Sequence, residues 1–121
     1  MRIERLDFRW RVVGFGRVVH DCLESLALEQ GYRVCGVCDE LGLSEGYFRE
    51  IFLRDVGMTP KEWMRWERMV VARRMMSWEP CHRTIAERLG FADCNSFRRE
   101  FRMVYGLAPM KFREMRLEVE A

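Results

Sequence analysis

Arg49, Asn95, Arg98 and Arg99 have the side-chain chemistry to read the edges of nucleic-acid bases. An arginine fork donates two parallel hydrogen bonds to guanine, an asparagine amide pairs with adenine, and a carboxylate such as Glu50 accepts from cytosine. With their neighbours they form two groups, Glu45, Gly46, Arg49 and Glu50, then Cys94, Asn95, Arg98 and Arg99. In a helix the spacing of each group places it on one face near the N-terminus, the part that reaches base edges in a major groove. Gly46 lacks the bulk expected of a reading side chain, and Glu45 with Glu50 brings negative charge toward phosphates. The first group is therefore expected mainly to select, and the second to supply much of the electrostatic affinity. Arg54, Lys61, Arg102 and Lys111 are the cations placed to neutralise phosphates. The plain alternative for each arginine is solvated helix surface. No paired carboxylates, activated nucleophile or phosphate loop can be assembled, so no catalytic site, metal site or cofactor is expected.

The elements that position the second group run from Thr84 to Arg113. Thr84 with Glu87 three residues later forms a capping box, which predicts a helix starting near Ile85. Ile85, Ala86 and Leu89 give it a short apolar face, and Gly90 suits a stop and a sharp turn. Asp93 then caps a second helix on which Phe97, Phe101 and Val104 or Tyr105 face inward, while Asn95, Arg98, Arg99 and Arg102 face elsewhere. A short helix, a glycine turn and a helix with a basic outer face make the pattern of a helix-turn-helix DNA reader.

The same pattern occurs twice. Val37, Cys38, Leu41, Gly42 and Leu43 correspond to Ile85, Ala86, Leu89, Gly90 and Phe91 at an offset of 48 residues. Ser44, Phe48, Phe52, Gly57 and Pro60 correspond to Asp93, Phe97, Phe101, Gly106 and Pro109 at an offset of 49. The added residue falls in the turn, where it leaves both helix faces in register; inside a helix it would rotate the apolar stripe by about 100°. Between the copies, Thr59, Pro60 and Glu62 cap a helix running to about Ser77. Trp63, Met64, Met69, Ala72, Met75 and Met76 are its expected buried positions, and Arg65, Arg68, Arg73 and Arg74 its surface. Phe48, Phe52, Phe97, Phe101 and Phe112 are expected in the core with Trp63.

From Ile85, Ala86, Gly90, Phe91, Asp93, Phe97 and Phe101 to Gly106, Pro109 and Phe112, the chain resembles the second helix-turn-helix of the AraC/XylS transcription regulators. The resemblance implies an all-α, homeodomain-like fold of about seven helices, two helix-turn-helix subdomains joined by a long linker helix. The expected division is an N-terminal arm over 1–14, a first subdomain over 15–58, the linker over 59–78, a second subdomain over 79–115 and a tail over 116–121. It also implies a sequence-specific regulator that places two recognition helices in successive major grooves of an asymmetric site on double-stranded DNA. The alternative is an interaction module of the same fold whose acidic first unit binds RNA polymerase or another regulator. Family members usually carry a sensing or dimerisation domain as well. None fits into residues 1–35, so the chain is expected to stand alone, or to be cut from a longer one and to dimerise through a missing or N-terminal segment.

Composition bounds the rest. The 121 residues are 49% hydrophobic with a net charge of +2, enough for a core and weak as a sign of a polyanionic partner. The apolar runs are too short to span a membrane, and charges interrupt the first residues, so a cytoplasmic protein is expected, and the resemblance implies one associated with the nucleoid. Five cysteines, Cys22, Cys35, Cys38, Cys81 and Cys94, fit a reducing compartment. Cys35 and Cys38 form a CxxC without a second pair, and small buried hydrophobe is the favoured reading over metal or redox site. Residues 1–14 fit a strand through Leu6, Phe8, Trp10 and Val12 and a helix through Ile3, Leu6, Trp10 and Val13. A helix is expected from Arg17 to Gln30, and a charged, fraying end after Arg113.

Overall fold

The computed structural model describes residues 1–115 in full and the backbone alone to 120. Three strands, β1 (Arg2–Leu6), β2 (Arg9–Gly14) and β3 (Arg17–His20), precede α1 (Leu23–Glu29), α2 (Val34–Leu41), α3 (Glu45–Asp55), α4 (Pro60–Met75), α5 (His82–Arg88), α6 (Cys94–Tyr105) and α7 (Pro109–Glu120). The charged tail expected over 116–121 lies outside the fully described residues. No helix among the described residues is long and apolar enough to cross a membrane. The chain divides into two compact units, Met1–Glu67 and Arg68–Ala121.

The N-terminal sheet corrects the all-α expectation. Asp7 and Phe8 form a two-residue turn that folds the alternating stretch on itself, with Leu6 opposite Arg9 and Ile3 opposite Val12. A second turn, Phe15 and Gly16, brings back β3, so the sheet is an antiparallel meander in the order β1-β2-β3 with an irregularity at Val12/Val13. The helix expected from Arg17 therefore starts only at Leu23. Val18 and Val19 are β-branched and follow a tight turn, conditions under which pairing with β2 prevails over a helical stripe.

Two carboxylates fasten this sheet to the helices of its unit. Asp55, the last residue of α3, accepts the Ile3 amide at 2.8 Å, and Glu24 of α1 accepts the Trp10 amide at 2.8 Å. Each satisfies a strand N–H that lacks a ladder partner. Ile3 and Val12, opposite one another, are buried with Leu23, Leu26, Val37, Phe48, Ile51 and Phe52 in the core of the first unit. Cys38 belongs to the same core, and burial, followed by Glu45, Asp39 and Cys35, pushes its thiol up to about 11. It is a small hydrophobe there, whereas Cys35 is exposed.

The second unit is filled by Met69, Ala72, Met75, Met76, Ile85, Ala86, Leu89, Phe97 and Phe101. Arg68 is a correction, because it is not surface. Its guanidinium lies 3.8 Å from the Phe91 ring centroid and donates to the Leu89 carbonyl and to Glu100, each at 3.2 Å. It thereby anchors the turn between α5 and α6 to α4. Phe112, expected in the core, is half-buried with its ring 5.5 Å from that of Phe101.

Asp55→Ala is expected to lower stability by about 1 kcal/mol through the unpaired Ile3 amide, read as an earlier urea midpoint and faster amide exchange at Ile3. Bonding to Arg54 and to the Ile3 amide holds the Asp55 carboxyl below its usual 3.8. Its contribution is thus present above pH 3.8 and lost as pH falls through the lower folded value.

Candidate nucleic-acid interface

Each unit contains one helix-turn-helix. In the first, α2 stops at Gly42 in the left-handed region (φ 69°), and the Ser44 hydroxyl caps α3 by accepting the Tyr47 amide at 3.2 Å. In the second, Gly90 (φ 79°) makes the turn, and Asp93 caps α6 by accepting the Ser96 amide at 2.7 Å. That bond and the Ser96 hydroxyl hold the Asp93 carboxyl below its usual value. The capping box expected at Thr84 does not start α5, however. The helix begins at His82 with Cys81 at its cap position, and the Cys81 carbonyl accepts the Ile85 amide at 3.2 Å. Thr84 sits inside the first turn and bonds to the Cys81 thiol, which is held below its usual value by that contact.

Aromatic rings set how α3 and α6 are rotated. Phe48 and Phe52 are fully buried on α3, and Phe97 and Phe101 on α6. The opposite faces are left outward, so Glu45, Gly46, Arg49, Glu50, Asn95, Arg98 and Arg99 are exposed and Cys94 is half-exposed. Glu45, Gly46 and Arg49 line an open groove of 710 Å³ together with Val34, Thr59, Lys61 and Arg65. Cys94 and Arg98 line an open groove of 490 Å³ with Cys81, His82, Arg83, Met110 and Arg113. The two grooves are built alike: in each, the starts of three successive helices meet, the reading helix in the middle, and bring their positive dipole ends together.

The remaining assignments separate. Asn95 Oδ1 accepts from Arg98 at 3.4 Å, so these two are already oriented together. Arg99, beside the Asp93 cap, and Arg102 are exposed. Lys111 is exposed, 3.9 Å from Glu114. Arg54 is committed elsewhere: it donates to Asp55 at 2.8 Å and to the Met1 carbonyl at 2.8 Å. Sequence reasoning missed Arg65 and Arg83 as groove residues. Arg83 was hidden because the Thr84 box placed the helix start after it. Leu53, exposed one turn beyond Arg49 on the same side of α3, was also missed.

Gly46 has no steric reason to be glycine. A Cβ built there meets nothing within 4 Å. A bare backbone near the start of a reading helix lets another molecule approach closely.

His82 is buried against Phe97, ring centroids 6.1 Å apart, and burial, Arg113 and Arg98 lower its pKa below 6.5. Arg113 closes this side of the unit by donating to the carbonyls of Met76, Glu79 and Pro80 at 2.9 to 3.2 Å.

Residues 37–115 match the family model described as "Helix-turn-helix domain", and the chain belongs to that family, of the AraC type. No curated protein matches in sequence. Among solved structures, the chain is similar to the C-terminal domain of the two-component response regulator yesN from Fusobacterium nucleatum subsp. nucleatum, with 27% identity and a TM-score of 0.66 over 75% of this chain and 94% of that one. The fold and the family together make this a DNA-binding transcription regulator.

Gly46→Ala is expected to stabilise the free protein by about 0.5 kcal/mol through helix propensity, seen as a higher thermal midpoint. His82 titrates below 6.5 in the fold, so its contribution is present above pH 6.5 and lost as pH falls through the depressed value. Thermal midpoints at about pH 7 and pH 5 should converge in His82→Phe relative to the parent.

Proposed function

We propose that the chain is a sequence-specific regulator whose α3 and α6 enter successive major grooves of one asymmetric DNA site. The observation that supports this best is that equivalent positions of the two reading helices, four in each, stand outward over Phe-pinned cores. Grooves on one side of a duplex recur about every 34 Å, so the expected footprint is roughly 20 bp. The faces differ in chemistry. Arg98, Arg99 and Arg102 with Asn95 give α6 a basic front, while Glu45 and Glu50 flank Arg49 on α3. Affinity is therefore assigned mainly to the second unit and base choice mainly to the first. A monomer bound to a non-palindromic site follows from two unlike readers in one chain.

The exposed Glu45 and Glu50 also favour a second reading, in which the first unit meets RNA polymerase or another regulator. The two readings part in one experiment, fluorescence anisotropy on random duplexes over a salt series followed by selection of bound sequences. Steep salt dependence with an enriched asymmetric motif supports DNA reading. Salt-independent or absent DNA binding with co-purified polymerase supports the other.

Within the first reading, Arg98→Ala and Arg99→Ala should each weaken binding by about tenfold, from the loss of one good base or phosphate contact. Arg49→Ala should change the selected motif more than the affinity. Unchanged affinity and motif in all three variants would remove these assignments.

A further inference from the structure

The tip between β2 and β3 carries an apolar side chain with nothing to hold it. Phe15 is 89% exposed and has a positive φ of 56°, followed by Gly16 at 72°. Both central residues of this two-residue turn are left-handed, the geometry that asparagine, aspartate or glycine takes without strain. A phenylalanine there is therefore unfavourable for folding on two counts, backbone conformation and bare aromatic surface. Its surroundings are basic. Arg17 lies opposite Gly14 across the turn and Arg2 opposite Val13 on the next strand; both are exposed, and Arg2 also reaches Glu4 at 3.2 Å in an ion pair. The Arg17 side chain makes no ion pair or hydrogen bond among the described residues.

The tip is also joined physically to the end of the first reading helix. Arg54 of α3 donates to the Met1 carbonyl at 2.8 Å, Asp55 accepts the Ile3 amide, and the Met1 side chain lies 3.1 Å from where a Cβ of Gly14 would sit. Helix end, first strand and turn thus form one continuous body. By contrast the other tip, Phe8, is 95% exposed but stands beside Asp7, and its neighbour Arg9 is paired with Asp21. Arg5 at that end lies over the Trp10 ring, 5.6 Å from its centroid, so the Phe8 tip carries a carboxylate and cations that already have partners.

We propose that the β2–β3 tip is a third DNA contact, in which Phe15 enters the minor groove flanking the major groove read by α3 while Arg2 and Arg17 meet the bordering phosphates. Apolar wedges flanked by cations suit this groove, because the wedge separates base steps and the cations neutralise the backbone on either side. The proposal rests on the DNA-reading assignment above and extends it to a surface outside the residues that match the family model, 37–115.

The test uses the full chain, its selected duplex, and the same duplex trimmed at the flank beside the first unit. Phe15→Asn should raise the thermal midpoint, since the strain is relieved, yet weaken binding to the long duplex about fivefold to tenfold, the loss of one inserted aromatic. Arg2→Ala with Arg17→Ala should lower the salt slope by about 1.8, two phosphate contacts. On the trimmed duplex parent and variants should bind alike. Equal affinity and slope of parent and variants on the long duplex overturn the third contact while leaving the two-helix reading in place. So does a Phe15→Asn variant that changes the sedimentation of the free protein and not its DNA binding, which would make the tip a contact between copies. Failure of the parent to bind any duplex overturns both.

Discussion

A helix that reads DNA has one setting that matters above the others, its rotation about its own axis, and here two aromatic side chains one turn apart fix it. On α3 the rings of Phe48 and Phe52 lie 5.3 Å apart and Phe52 meets Trp63 at 5.6 Å. On α6 Phe97 and Phe101 lie 5.9 Å apart and Phe101 meets Phe112 at 5.5 Å. Trp63 and Phe112 occupy the same position in the helix that follows each reader. Slipping either helix by one residue would turn it by about 100° and put a buried ring into water. The arrangement of every polar group on the outer faces follows from this lock, including the convergence of three helix starts at each reader.

Polar ties finish what the rings begin, and they are concentrated in the second unit. Arg68 donates to the Leu89 carbonyl at the end of α5, Arg113 to carbonyls just after α4, and the Tyr105 hydroxyl to the Met69 carbonyl of α4 at 2.9 Å. For the two arginines the accepting carbonyls lie at or beyond helix ends, where no intrahelical partner exists, so a long donor from elsewhere both satisfies them and fixes the turn. The first unit adds carboxylates, Glu24 and Asp55, which accept strand N–H groups of its sheet, beside the Arg54 bond to the Met1 carbonyl.

The duplicated reader was legible because its signals are local. Ser44, Asp93 and Thr59 cap the helices they were expected to cap, Gly42 and Gly90 make the turns, and the Phe pairs face inward. The sheet was not legible, because Leu6 and Trp10 satisfy two periods at once, with Val12 completing the strand pattern and Val13 the helical one. What decides between them is pairing across turns at Asp7-Phe8 and Phe15-Gly16, and neither pair has the usual turn composition. The start of α5 differs for another reason: Thr84 and Glu87 fit a capping box by spacing, but Cys81 takes the cap position and Thr84, inside the first turn, bonds to its thiol. Arg68 was misplaced because an arginine on an amphipathic helix looks like surface until the carbonyl, carboxylate and ring that receive it are known. Of the outward faces, the residues themselves were readable; the engagement of Arg54 with the sheet was hidden with the sheet.

The helix α4 serves two masters. Its first turns supply Trp63 and Met64 to the earlier bundle, and its later turns supply Met69, Ala72 and Met75 to the other. Pro60 aligns with Pro109, so the same segment is the closing helix of one copy and the opening helix of the next. Severing the chain ahead of Trp63 would uncover the earlier interior and severing it past Ala72 would uncover the later one, so the sixteen residues of this helix must stay whole for both to remain closed.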